Sequence, residues 1–160
     1  MLTTTFKNDF EMLHEDFALW NTTLEQVSGV ENLQWAWTHQ PIPPAISSKS
    51  APQSGNVLGI DPAEGALVLC LLSASWIDPA DDDLINTVGK RLIEQVDTAS
   101  KARGVYHPFK YLNYAAQWQD PIGGYGEANM KKLCAASKKY DPLRIFQKAV
   151  PGGFKLTYCH

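Results

Sequence analysis

The sequence has 160 residues, of which 44% are hydrophobic and 19% charged, and these values are typical of one globular domain rather than a disordered chain. The formal net charge of −3 excludes the strongly basic surface that would bind nucleic acid or an anionic membrane. No apolar run approaches the roughly 20 residues that cross a bilayer, and the polar N-terminus lacks a secretory core, so the sequence predicts a cytoplasmic protein unless a leader has been removed.

The first predicted element is a helix over residues 6–27. Its apolar residues recur at alternating steps of four and three, and they form one stripe comprising Phe6, Phe10, Leu13, Phe17, Trp20, Leu24 and Val27. Asn8 and Glu11 have the spacing of a capping box, and Gly29 follows the last turn. Such stripes more often pack against a core than hold a cofactor, so the sequence favours core packing.

Two strands are predicted next. Residues 33–40 alternate between large and smaller or polar side chains, which is typical of a strand, and prolines end the pattern. The polar residues 45–56 predict a long loop. Residues 65–76 begin as a run that is apolar on both faces, which predicts a central strand covered on both sides.

A second long helix is predicted to begin at Asp78-Pro79, because aspartate is a favoured N-cap and proline a favoured first residue. We interpret the acidic triplet at 81–83 as complementing the helix dipole rather than binding metal, since its spacing is not that of a calcium loop. Gly104 ends this helix. A short strand, a third helix over 127–139 and a helical turn from Asp141 complete the prediction.

The cysteines Cys70, Cys134 and Cys159 are odd in number and lack C-x-x-C spacing. This pattern argues against a disulfide framework and against a zinc site. Cys70 lies within the apolar run, so we expect it to be a small core residue.

The order of these elements predicts an α+β fold in which helices pack on one face of a small antiparallel sheet. No internal repeat or composition shift divides residues 1–160, so one domain is expected. A small sheet leaves strand edges that proteins often cover by pairing, which favours a homodimer.

Several separated strings occur in one order and together resemble a known family. They are Gln40-Pro41 after a tryptophan-rich strand, then GNVLG at 55–59, YLNYA at 111–115, QDP at 119–121, KYDP at 139–142 and PGGFKL at 151–156. In combination they resemble the C-terminal part of fungal FAD-linked oxidoreductases of the berberine-bridge-enzyme-like, vanillyl-alcohol-oxidase type. The resemblance covers residues 3–156, nearly the whole chain.

The resemblance implies a substrate domain whose antiparallel sheet lies beside a flavin, with Tyr111, Asn113 and Tyr114 lining the pocket. Two positions depart from the family pattern, because Ala116 stands where an aspartate is common and Ser54 where a glycine is common. The sequence has no FAD-binding domain, no motif for covalent flavin attachment and no G-x-G-x-x-G loop after a strand, so we expect no bound cofactor and no metal. The opening Met1 and the closing TYCH favour a complete short protein over a piece of a larger oxidase.

These observations lead to three functional hypotheses. The favoured one is a cofactor-independent enzyme of fungal secondary metabolism, of isomerase, cyclase or dehydratase type, whose inherited pocket takes a polyketide- or terpenoid-like molecule. The second is a non-catalytic subunit that completes a flavin-dependent oxidoreductase in trans. The third is a decayed product without function, which the intact caps and apolar stripes disfavour.

The candidate residues follow from the first hypothesis, and each has a structural alternative. Tyr111, Tyr114 and His39 are the candidate acids or bases, although a single histidine on a tryptophan-bearing strand is more often structural. Amide groups could bind a carbonyl oxygen and tryptophans could wall the pocket, although tryptophans more often belong to the core. These substrate-binding candidates are Trp35, Trp37, Gln40, Trp76, Asn113 and Trp118.

Overall fold

An antiparallel sheet with the strand order β2-β3-β1-β4 organises the chain. The structure is a computed structural model that describes residues 1–53 and 55–159, so Ser54 and His160, the former being one of the two family departures, lie outside the described residues. The strands are β1 (Leu2–Lys7), β2 (Gln34–Ile42), β3 (Leu67–Ser75) and β4 (Tyr106–His107), and the helices are α1 (Phe10–Gln26), α2 (Pro44–Ser47), α3 (Asp82–Ala102), α4 (Glu127–Tyr140) and α5 (Ile145–Lys148).

The N-terminal residues form a strand, so the prediction that the first helix begins at residue 6 is wrong. The sequence LTTTFK is rich in β-branched threonine, whose restricted χ1 suits a strand, and β1 pairs with β3 along its whole length. Helix α1 begins three residues later. Asp9 rather than Asn8 is its N-cap, because the Asp9 carboxylate accepts a hydrogen bond from the Met12 N–H.

Helices α1 and α3 cover one face of the sheet. Their buried residues pack with alternate residues of β1 and β3 in a core that contains Leu2, Phe6, Met12, Val68, Cys70, Leu72, Leu92, Ile93 and Val96. The buried face of α1 is Met12, Asp16 and Thr23. The predicted stripe lies to one side of that face, so Phe10 is 70% exposed and Phe17 is 53% exposed, which corrects the prediction that both are buried.

The C-terminal segment covers part of the opposite face of the sheet. Leu69 of β3 packs there with Phe109, Ile122 and Tyr125, and Met130 and Leu133 of α4 are half-buried against this cluster. The α+β class with a small antiparallel sheet is therefore confirmed, and its two long helices share one face.

The remaining elements agree with the sequence except in two places. Strands β2 and β3 and helix α4 lie where their patterns predict, and β3 is buried from Leu67 to Leu72. The helix predicted to begin at Asp78-Pro79 starts there only as a 3₁₀ turn at Pro79–Asp81, and α3 begins at Asp82. The predicted loop at 45–56 instead includes α2 and a 3₁₀ helix at Ser48–Gln53. Proline is favoured in the first turn of a helix, so Pro44 is compatible with this local winding.

A disulfide joins Cys134 of α4 to Cys159 near the C-terminus, which corrects the expectation of no disulfide. The odd number of cysteines did not rule out a disulfide, because the third cysteine, Cys70, stays unpaired. Cys70 is buried in the core, as predicted. Disulfides persist mainly in oxidising compartments, so this bond does not support the predicted cytoplasmic location, which stays a prediction. Within the described residues, no helix combines the length and apolarity needed to cross a membrane.

His107 is a buried histidine that the sequence did not single out. Its Nδ1 accepts a hydrogen bond of 3.1 Å from the Phe109 N–H, and its Nε2 lies 3.3 Å from a Glu64 carboxylate oxygen. Burial lowers the pKa of His107 below its ordinary value of 6.5, and the nearby Lys7 lowers it further, whereas the Glu64 carboxylate partly opposes the shift. The folded state therefore favours the neutral ring.

We expect this group to make folding sensitive to mild acid. A folded pKa below the unfolded value means that the unfolded chain binds the proton more tightly, so stability is complete above about pH 6.5 and falls as the pH drops toward the folded pKa. Replacing His107→Asn should flatten the pH dependence of the unfolding midpoint between about pH 7.5 and 5.5. Urea unfolding across this range measures it, and equal slopes for both proteins would contradict the assignment.

Candidate functional site

The alternation of β2 divides the predicted site residues between the two faces of the sheet. Trp35, Trp37 and His39 point toward α1, whereas Gln40 contacts Tyr114 on the opposite face. Successive strand residues point to opposite sides, so this division follows directly from their odd and even positions. His39 therefore cannot share one site with Tyr111 and Tyr114.

Gln40, Tyr111, Asn113 and Tyr114 form a connected group, here called the tyrosine cluster. The two phenol rings meet edge to face with centroids 4.8 Å apart. The Asn113 amide donates to the Tyr111 hydroxyl at 2.9 Å, and the Gln40 amide donates to the Tyr114 hydroxyl at 3.3 Å. Each phenol oxygen thus accepts an amide hydrogen bond.

The tyrosine cluster lies beside an open part of the sheet. Asn113 is exposed, the two tyrosines are half-buried, and Ala36 and Thr38 of β2 are exposed on the same sheet face as Gln40. An aromatic surface with a few polar groups at an open sheet face is suited to contact a planar organic molecule. The Ala116 departure leaves no carboxylate at that position.

The cluster fits one part of a flavin and not another. Phenol and amide groups can line a face of the ring and hydrogen-bond its polar edge. A pyrophosphate group needs backbone N–H groups at a helix N-terminus or cationic side chains, and the four cluster residues carry no charge. The cluster could therefore contribute to the ring side of a flavin site, and other residues would have to hold the phosphates.

On the helical face, His39 joins a buried polar network centred on Asp16. Asp16 is fully buried, and its Oδ2 lies 2.7 Å from the His39 Nε2, 3.1 Å from the Trp37 Nε1 that donates to it, and 3.5 Å from the Cys70 Sγ. Burial is the main cause that raises the pKa of Cys70, and the Asp16 carboxylate adds to it, so the thiol stays protonated.

The His39 side chain is 31% exposed and reaches the surface from this network. It lines a depression of about 340 Å³ together with Phe10, Leu13, His14 and Phe17. Phe10, Leu13 and Phe17 belong to the α1 stripe, and Phe10 and Phe17 are the two that the core leaves exposed. The arrangement places an imidazole that contacts a buried carboxylate in the lining of a mainly apolar depression.

The four tryptophans do not wall one pocket. Trp35 and Trp37 pack beneath α1, where the Trp35 indole donates to the Thr23 hydroxyl at 2.8 Å. These two tryptophans therefore belong to the core, which was the structural alternative to a pocket wall. Trp76 donates to Asp82 at 2.7 Å, and the exposed Trp118 lies 5.4 Å from the Lys90 ammonium. None of the four belongs to the tyrosine cluster.

Asp16 and Gln119 have roles in the structure that the sequence patterns did not indicate. Asp16 follows Met12 by four residues and precedes Thr23 by seven, so its position on the buried face of α1 was readable once that face was known. Gln119 is buried, and its side-chain amide hydrogen-bonds both the N–H and the carbonyl of Thr3, at 3.2 and 2.7 Å. It extends the β1 edge where the two-residue β4 does not reach.

Known proteins resemble this chain over most of its length. It is 36% identical over 160 residues to the FAD-dependent monooxygenase drtC of Aspergillus calidoustus, covering 98% of this chain and 30% of drtC. It is 34% identical over 148 residues to the oligopeptidase PhomG' of Diaporthe leptostromiformis, covering 91% of this chain and 12% of that protein. It is 34% identical over 118 residues to the bifunctional solanapyrone synthase of Alternaria solani, covering 74% of this chain and 22% of that protein.

Further relatives from other fungi also carry the name FAD-dependent monooxygenase. The chain spans about a third or less of the length of these curated relatives. No family model matches the sequence, and no solved structure matches the chain. The chain is thus similar, along nearly its whole length, to one part of fungal proteins that are mostly named FAD-dependent monooxygenases.

Proposed function

We propose that this chain forms the substrate-binding side of a flavin-dependent oxidoreductase in fungal secondary-metabolite biosynthesis. The observation that carries the proposal is the tyrosine cluster, which presents two phenols and two amides beside an open face of the sheet. The names of the relatives support the flavin and the biosynthetic role. In the family that the sequence resembles, the corresponding segment lies beside a flavin ring, which also supports the proposal.

In this proposal the residues of the chain bind and orient the substrate. Bound flavin would accept electrons from the substrate, and residues outside the tyrosine cluster would hold its phosphates. Tyr111 and Tyr114 would hydrogen-bond a carbonyl or hydroxyl oxygen, while their ring faces contact an aromatic or polyketide- or terpenoid-like skeleton. The flavin-holding residues would come from another polypeptide or from a further part of the same protein.

A second candidate is the cofactor-independent enzyme of isomerase, cyclase or dehydratase type. The observation that favours it is the direction of the two amide hydrogen bonds. A phenol oxygen that accepts a hydrogen bond becomes a better donor through its own O–H, because hydrogen bonds in a chain polarise one another. Tyr111 or Tyr114 could then act as a general acid on a substrate carbonyl without any redox step.

The two candidates differ in what the purified chain requires. We expect Tyr111→Phe and Tyr114→Phe each to lower kcat/KM for the pathway reaction by at least about tenfold, because each removes one hydrogen bond to the substrate. Assays of the chain alone, of the chain with added FAD and of the chain with the flavin-binding polypeptide of the same pathway measure this. Trp118→Phe, outside the cluster, is the matched control and should keep full activity.

The outcomes separate the candidates. Activity only in the presence of a flavin-binding polypeptide, with a flavin absorption band in the complex, supports the oxidoreductase. Activity of the colourless chain alone supports the cofactor-independent enzyme and overturns the first proposal. If neither tyrosine variant differs from the Trp118 control, then the tyrosine cluster is not the site.

A further inference from the structure

A second cluster of reactive side chains lies on the helical face, away from the tyrosine cluster. It contains Asp16 of α1, His39 of β2 and Cys70 of β3, and one ligand atom from each lies within 4.8 Å of the other two. We propose that these three residues bind a divalent transition-metal ion of the zinc class. The proposal is independent of the proposed function.

The chemistry of the three side chains selects the metal. Imidazole nitrogen, thiolate sulfur and carboxylate oxygen together are the ligands that zinc uses, whereas magnesium and calcium prefer oxygen alone. Zinc with one thiolate, one carboxylate and a neutral imidazole forms a group of zero net charge. Such a group can be buried at much lower cost than an isolated ion.

The distances require only a small rearrangement. Zinc bonds of about 2.0–2.3 Å in tetrahedral geometry place the ligand atoms about 3.3–3.8 Å apart. The Cys70 Sγ and the Asp16 Oδ2 are already 3.5 Å apart, whereas the His39 Nε2 lies closer to Oδ2, at 2.7 Å. His39 lies on the outer strand β2 and is partly exposed, so its ring is the one that can move outward by the required distance.

An independent observation also points to a ligand at this place. The other carboxylate oxygen of Asp16, Oδ1, is buried and has no hydrogen-bond partner among the described residues. A buried carboxylate oxygen without a partner is costly, and a bound cation is one way to satisfy it. A metal that both carboxylate oxygens of Asp16 contact would therefore satisfy an oxygen that the protein itself leaves unpaired.

The site also has an entry path and an open position. His39 separates the buried Asp16 and Cys70 from the depression that Phe10, Leu13, His14 and Phe17 line. A metal held by three protein ligands would reach solvent through this depression, where water would take the fourth position. Binding would release the Cys70 thiol proton, because the thiolate is the ligand.

Cobalt(II) is the probe that tests the proposal, because its spectrum reports its ligands. We expect the metal-free chain to bind Co²⁺ with tetrahedral visible bands and a thiolate-to-cobalt charge-transfer band. Among the three cysteines, Cys134 and Cys159 are joined, so a thiolate signal reports Cys70. Zn²⁺ should displace Co²⁺ and raise the thermal unfolding midpoint as its concentration increases.

Two variants and one control make the result decisive. Cys70→Ala should abolish the charge-transfer band, and His39→Gln, a change at a partly exposed position, should weaken Co²⁺ binding by at least about tenfold. His14→Gln changes a residue of the same depression outside the cluster and should leave the spectrum unchanged. Absence of the band in the unmodified chain, or its persistence in folded Cys70→Ala, would overturn the proposal. Circular dichroism shows whether Cys70→Ala is folded. If it is not, the Co²⁺ affinity of His39→Gln decides, and an affinity equal to that of the unmodified chain would overturn the proposal.

Discussion

Replacing Asp16 with alanine is expected to lower the free energy of unfolding of the metal-free chain by about 4 kcal/mol. The carboxylate is the shared acceptor for the Trp37 indole and the Cys70 thiol, and it contacts the His39 ring. Its removal leaves these polar groups without their partner at the contact between α1 and the sheet. Urea unfolding in the presence of a chelator measures the change.

Glu15→Ala is the matched control for this prediction. Glu15 neighbours Asp16 on α1 and pairs with Arg103 at 2.6 Å, but both side chains are well exposed to solvent. Exposed pairs contribute at most about 1 kcal/mol, so the control should be nearly neutral. If the two variants unfold at similar urea concentrations, the Asp16 network does not stabilise the fold.

Replacing Gln119→Leu is expected to cost about 3 kcal/mol of stability. The side-chain amide of Gln119 completes the backbone hydrogen bonding of Thr3, and its oxygen also accepts from the Ala116 N–H at 3.0 Å. Leucine preserves the approximate volume but leaves two buried backbone groups of Thr3 and the half-buried Ala116 N–H unpaired. The loss should also free the segment that carries the tyrosine cluster from the edge of β1.

Gln117→Leu provides the comparison, because Gln117 is exposed two residues earlier on the same segment. Thermal unfolding of both variants gives the difference in stability. A Gln119 variant as stable as the Gln117 variant would show that the Thr3 backbone is satisfied in another way.

The elements with strong local signals were predictable from the sequence. Helix α3 has a repeating apolar face, and β3 is an apolar run bounded by glycine and polar residues, so pattern and structure agree for both elements. The Asp78-Pro79 pair begins the 3₁₀ turn before α3 rather than α3 itself. The start of α1 was not predictable in this way. Phe6 continues the helical spacing by coincidence, and only the pairing of β1 with β3 decides in favour of a strand.

The candidate site was predictable only in part, because some of its contacts join elements that are distant in the sequence. The resemblance predicts Tyr111, Asn113 and Tyr114 as one group, and these residues lie together. Gln40, predicted as a substrate-binding amide, contacts Tyr114 from another segment. His39 was grouped with them although it occupies the other face, and its partners Asp16 and Cys70 come from elements 23 and 31 residues away. Contacts of that separation depend on how strands and helices assemble, which no local pattern specifies.

The position of β2 at the edge of the sheet has a consequence for amide hydrogen exchange. Among the described residues no strand pairs with its outer side, and its sequence QWAWTHQPI has no Lys, Asp or Glu of the kind that discourages pairing. Amide hydrogens on that side would exchange with solvent at rates closer to those of loops than of a sheet. A second copy of the chain, as in the homodimer predicted from the sequence, or another polypeptide that adds a strand there would slow this exchange. The exchange rates of individual β2 amides would therefore report association at that edge.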